Sequence, residues 1–177
     1  MSGPRVVLVG PMGAGKTTVA RLLAQRWEVD CKDTDDDVEA AAGKTVADIF
    51  VEDGEAAFRG LERTAVTEAL RCYDGVLALG GGAVLDPEVR AALADKTVVF
   101  LDVGLSDAVR RVGLGVGRPL LLGNVRARVK ALLDERAPVY REVASVVVST
   151  DGREPDEVAD EVAAWMEDRQ GAPDARR

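Results

Sequence analysis

The segment Gly10-Pro11-Met12-Gly13-Ala14-Gly15-Lys16-Thr17 constrains this chain more than any other. It fits the spacing GxxxxGK[ST] in full. A short β-branched run, Val6-Val7-Leu8-Val9, leads into it. The stretch Lys16 to Trp27 follows, with Val19, Leu22, Leu23 and Trp27 at helical spacing. A strand, a glycine-rich turn and a helix in that order make an anion cradle. Small residues, Gly13, Ala14 and Gly15 among them, let successive backbone N–H groups turn inward, and the helix N-terminus adds its dipole. Lys16, with Thr17 and Thr18 behind it, opens that helix. Lys16 is then placed to reach the outer phosphates of a nucleoside triphosphate such as ATP, and Thr17 to offer its hydroxyl to Mg²⁺.

The same rhythm continues downstream. Apolar runs at Val29 to Asp33, Gly75 to Leu79, Thr97 to Leu101 and Ser145 to Ser149 read as four more strands. Helical stretches lie at about 35–42, 45–53, 55–72, 87–94, 105–112 and 125–136, and Pro155 opens a last helix. Strands separated by helices pair in parallel and are covered on both faces, so the class is α/β. Four glycines (Gly113, Gly115, Gly117, Gly123) and Pro119 interrupt the pattern and mark a mobile lid at about 112–124. A length of 177 residues suits one domain. We assign it to 1–169, with a polar, disordered tail at 170–177.

Composition removes whole classes of chemistry. The chain has no histidine, so Ser–His and Cys–His pairs and histidine-bound metals are excluded. An acid–base catalyst must be a carboxylate, Lys, Tyr or Cys. The net charge of −8 argues against nucleic acid and anionic membranes as partners. Two cysteines, Cys31 and Cys72, are too few for a disulfide framework and read as half-buried free thiols. With no long apolar stretch and no leader, the expected location is the cytoplasm, and the expected state a monomer.

Two acidic sites compete for a place beside the phosphate loop. Asp33-Thr34-Asp35 follows the second strand, at the edge where parallel strands end. In extended backbone Asp33 and Asp35 project to one side, one for the water shell of Mg²⁺ and one for a substrate hydroxyl. An acidic helix start, continued by Asp36 and Asp37, accounts for the spacing equally well. Asp102, ending the strand Val98 to Asp102, resembles the metal carboxylate of other phosphate-loop enzymes but lacks a following Glu. No N-K-x-D segment is present to read guanine.

From Arg5 to Trp165 the residues resemble the shikimate kinases. The likeness rests on the phosphate loop, Asp33-Thr34-Asp35, Gly43-Lys44-Thr45, Gly54-Glu55 with Phe58-Arg59 and Glu62, Gly80-Gly81-Gly82, Arg118-Pro119-Leu120-Leu121, and Glu135-Arg136 with Pro138 and Tyr140. The resemblance implies a three-layer fold with strand order 2-3-1-4-5. It also implies ATP-dependent phosphorylation of the 3-hydroxyl of shikimate in the chorismate pathway. By the same likeness Asp35 is the base at that hydroxyl. Thr17 is a direct Mg²⁺ ligand and Asp33 a ligand through water. Arg59 and Arg136 grip the substrate carboxylate, and Gly81 and Gly82 line its ring. Arg118 closes on the phosphates from the lid, while Arg111, Arg153 and Pro155 flank the adenine.

Without that likeness, Arg59 reads as a surface ion pair with Glu62 three residues on, and Arg136 as a cation at a helix end. With it, Glu62 orients the Arg59 guanidinium. The sequence departs from the family at Val139, at Lys32 before Asp33, and over 113–117 of the lid. A gluconate kinase sharing only the nucleotide half is the nearest alternative. A nucleotide-binding module without turnover is the alternative from another class.

Overall fold

The structure is a computed structural model, and it describes residues 3–113 and 122–171. Five parallel strands form one sheet: β1 Val6–Val9, β2 Cys31–Asp33, β3 Val76–Ala78, β4 Val98–Asp102 and β5 Val146–Ser149, in the order β2-β3-β1-β4-β5. All four residues of β1 are buried, as a central strand covered on both faces requires.

The helices are α1 Lys16–Trp27, α2 Thr34–Ala42, α3 Val46–Glu52, α4 Glu55–Cys72, α5 Pro87–Leu93, α6 Leu105–Gly113, α7 Leu122–Val143 and α8 Pro155–Gly171. One apolar core joins the sheet to α1 and α8 through Leu23, Val158 and Val162. The opposite core joins it to α4, α5 and the end of α7 through Val66, Leu70, Val89 and Tyr140. A smaller cluster, Val38, Ile49 and Phe58, holds α2, α3 and α4 together. The chain leaves β1 toward β2 on one side, and later reaches β4 on the other. This switch point places the ends of β1, β2 and β3 around one crevice, where open α/β sheets hold ligands.

Four readings of the sequence change. Helix α7 does not stop near 136 but continues through Pro138 to Val143. The lost backbone bond at Pro138 is offset by Val139, Tyr140 and Val143, which pack into the α4-side core. Helix α8 takes in Gln170 and Gly171, assigned above to the tail, and 172–177 lies outside the described residues. Helices α6 and α7 absorb both ends of the expected lid, while 114–121, including Arg118, also lies outside them. Both cysteines are exposed rather than half-buried, because Cys31 sits on an edge strand and Cys72 on the last, solvent-facing turn of α4. No described helix is long and apolar enough to cross a membrane.

Candidate active site

The phosphate loop joins β1 to α1. Gly15 takes φ +85°, a conformation that a side chain disfavours, and hands the chain to the helix at Lys16. The Lys16 ammonium folds back over the loop and donates to the carbonyls of Gly10 at 2.8 Å and Pro11 at 3.0 Å. Burial lowers it to about 8, against the opposing pull of Asp33 and Asp35. Gly13, Gly15, Lys16, Thr17 and Thr18 share one cleft with Asp33 and Asp35.

The two carboxylates meet by a route different from the one the spacing suggests. Asp33 ends β2, whereas Asp35 already lies in the first turn of α2, so the backbone between them is not extended. Asp33 Oδ1 caps α2 by accepting from the Asp35 N–H at 3.0 Å, and its Oδ2 accepts from the Thr17 hydroxyl at 2.7 Å. The acidic run therefore does start a helix, and Asp33 at its cap also reaches the phosphate loop through Thr17. Thr34 is fully buried, and its hydroxyl accepts from the Gly80 N–H at 3.2 Å, tying β2 to the glycine turn. Asp35 Oδ1 is buried without a hydrogen-bond partner among the described residues. Desolvation, then the negative charges of Asp33 and Glu62, push its carboxyl up to about 6, although Lys16 pulls the other way.

Gly80, Gly81 and Gly82 follow β3 and form the floor between these groups. A methyl on Gly80 would stand 2.7 Å from Asp35 Oδ1 and 3.0 Å from Glu62 Oε2. One on Gly82 would overlap the Arg59 guanidinium. Arg59 Nη1 bonds Glu62 at 2.7 Å, and Glu62 is 3% exposed, so this is a held pair rather than a solvated one. Burial raises the Glu62 carboxyl, opposed by Arg59 and Arg136. Arg136, on α7, brings Nη1 to 3.5 Å from a methyl position on Gly81, and its buried Nε has no partner among the described residues.

These residues line a cavity of about 470 Å³. Val46, Phe50 and Phe58 form one apolar wall, and Val129, Leu132 and Leu133 of α7 another. Two orphaned polar atoms of opposite charge type, Asp35 Oδ1 and Arg136 Nε, belong to residues of this one cavity. Buried groups without partners are rare, and here they suit a ligand carrying both hydroxyl and carboxylate.

Of the residues expected at the adenine, Arg111 of α6 donates to the Gly13 carbonyl at 3.0 Å and to Thr150 at 3.1 Å and 2.9 Å. Arg153 donates to the Ser149 and Glu157 carbonyls at 2.9 Å and 3.2 Å, beside Pro155, which opens α8. Asp102 stands 3.7 Å from Arg141, while the Thr17 hydroxyl donates to Asp33 and not to Asp102, so the structure gives no support to a metal role for Asp102. The sequence reading missed Thr34 and Thr150, both buried polar residues. Thr34 carried only the weak signal of lying between two acids.

The family model for shikimate kinase matches residues 12–167. This chain belongs to the shikimate kinase family. A shikimate kinase from Thermobifida fusca is 58% identical over 162 residues, covering 92% of this chain and 94% of the relative. A shikimate kinase from Acinetobacter baumannii, solved in complex with shikimate, superposes with a TM-score of 0.88 at 33% identity, covering 96% of each chain. A gluconokinase from Sinorhizobium meliloti superposes less well, with a TM-score of 0.59 at 19% identity over 94% of this chain and 93% of that one, a likeness of fold alone. The strand order expected of the shikimate kinases is the one observed.

Proposed function

We propose that this chain transfers the γ-phosphoryl group of ATP to the 3-hydroxyl of shikimate, giving shikimate 3-phosphate and ADP for aromatic amino-acid biosynthesis. The observation that carries the assignment of roles is the unpartnered Asp35 carboxylate between Lys16 on one side and the Arg59–Glu62 pair and Arg136 on the other. Phosphoryl transfer asks mainly for alignment and charge compensation. Asp35 accepts the hydroxyl proton as the acceptor oxygen attacks phosphorus, and a carboxyl raised to about 6 is a stronger base than an exposed one. Lys16 meets the charge that develops on the phosphoryl oxygens. Arg59 and Arg136 hold the shikimate carboxylate with two guanidinium forks. Gly81 and Gly82 leave room for the ring.

Thr17 and Asp33 present hard oxygens 2.7 Å apart, and the described residues contain no group of three or more His, Cys, Asp or Glu fit to hold a metal. Such a partial shell suits Mg²⁺, which keeps several waters and arrives with the nucleotide. Thr17 would ligate it directly and Asp33 through water. When bound, the ion neutralises charge on the β- and γ-phosphates. Arg111, Arg153 and Pro155 flank the adenine, and Arg118 brings further charge to the phosphates. The protein acts as a cytoplasmic monomer.

A coupled ADP-release assay with shikimate, gluconate or no acceptor tests this reading. ADP released only with shikimate is the expected result. Equal release in all three arms would make the protein a plain nucleotidase, and release with gluconate alone would move it to the other kinase class.

A further inference from the structure

One buried polar side chain at the site has no part in the chemistry so far. Tyr140 is 1% exposed. It lies on the part of α7 that continues past Pro138, four residues after Arg136, so both side chains share one helix face. Its ring packs against Phe100 of β4 with centroids 5.0 Å apart. Its hydroxyl donates to the carbonyl oxygen of Gly81, and among the described residues it is that oxygen's one donor. Burial pushes the phenol up to about 12, the Arg136 guanidinium pulling the other way, so it remains a neutral donor across the working pH range.

The Gly81–Gly82 peptide is trans, and a planar trans peptide points its C=O and N–H in opposite directions. Holding the Gly81 carbonyl toward Tyr140 therefore turns the Gly82 N–H the other way. Gly82 is buried, lines the acceptor cavity, and its N–H has no hydrogen-bond partner among the described residues. A buried backbone donor without a partner is uncommon. Neither Gly81 nor Gly82 has a side chain to fix the plane of this peptide by packing.

We propose that Tyr140 is a positioning residue for the acceptor half of the site: its hydroxyl locks the Gly81–Gly82 peptide so that the Gly82 N–H faces the cavity as a hydrogen-bond donor to a substrate oxygen. This rests on the acceptor being shikimate or a similar polyhydroxy acid. Gly81 lies against the phosphate loop, but Lys16 and Thr17 make their hydrogen bonds to Gly10, Pro11 and Asp33 and none to the Gly81–Gly82 peptide, so the lock acts on the acceptor side.

The test is steady-state kinetics of Tyr140→Phe, which keeps the ring and its packing and removes only the hydroxyl, the donor to Gly81 whose other polar neighbour is the Arg136 guanidinium. The KM for shikimate should rise about tenfold, with the KM for ATP within about twofold of the parent. Phe100→Leu is the control, since it loosens the same packing and leaves the hydroxyl. It should lower the melting temperature without raising the shikimate KM selectively. A shikimate KM unchanged in Tyr140→Phe, or raised equally in Phe100→Leu, overturns the proposal. Should Tyr140→Phe fail to fold, the Gly82 amide resonance of the unmodified protein decides. Addition of shikimate should shift it and slow its hydrogen exchange, and no change refutes the lock. If the parent protein instead phosphorylates a different acid, the substrate assignment fails, and the same comparison with that acid still tests Tyr140.

Discussion

Replacing Asp35 by Asn should make the protein more stable as it makes the enzyme inactive. The carboxyl rises from an ordinary value of 3.8 to about 6, chiefly through desolvation and the neighbouring Asp33 and Glu62 charges. A rise of about two units corresponds to about 3 kcal/mol against the ionised form in the fold. Water still reaches part of this side chain, which reduces the usable figure to about 1–2 kcal/mol. The sign follows from linkage. A carboxyl whose pKa is raised by folding takes up its proton earlier in the folded than in the unfolded state. Its favourable contribution is therefore full below about pH 4 and lost as pH rises through about 6. Asn is neutral throughout and escapes the penalty. Scanning calorimetry without nucleotide or Mg²⁺ should show Asp35→Asn melting about 2–8 °C above the parent at pH 8, at roughly 2–4 °C per kcal/mol. The gap should close toward pH 4.5. Turnover at pH 8 should fall about 10²–10⁴-fold with the loss of the base. A variant that melts at or below the parent at pH 8, or a gap indifferent to pH, would refute the electrostatic account.

Lys16→Ala should lower turnover by at least about 10²-fold in a folded protein, and near-normal turnover would remove the ammonium from the transition state. In the parent, the Lys16 value of about 8 should make the rate at limiting ATP decline above that pH, and a flat alkaline profile contradicts it. Arg136→Ala should raise the shikimate KM about 10- to 100-fold while nucleotide titration stays within about twofold, since one charge-assisted pair is lost on the acceptor side only. Gly82→Ala should displace Arg59 and raise the shikimate KM about tenfold, and an unchanged KM would show that the guanidinium does not need its present seat.

Much of this was legible before any coordinate. The phosphate loop announces itself because its chemistry needs particular residues at fixed spacing, and the order of strands and helices follows from apolar runs. The likeness to shikimate kinases supplied the strand order, which periodicity does not carry. Contacts made across the fold were less legible. Thr34 looks like a spacer until Gly80, 46 residues away, donates to it. Pro138 is a sound local stop signal, overridden because Tyr140 is worth more in the core than one backbone bond. Asp102 ends a strand as a metal carboxylate does, yet Arg141, five residues past the expected end of its helix, pairs with it.

The position of the Lys16 ammonium bears on how its charge is used. It donates to the carbonyls of Gly10 and Pro11. Two of its three N–H donors are engaged there, and a phosphate oxygen that takes over either of those gains only a swap of hydrogen bonds, which yields little net affinity. The remaining advantage appears only as negative charge grows on the migrating phosphoryl group, which the loop carbonyls cannot match. The loop thus withholds this cation from ground-state recognition, so its removal should register in kcat far more than in the grip on ATP.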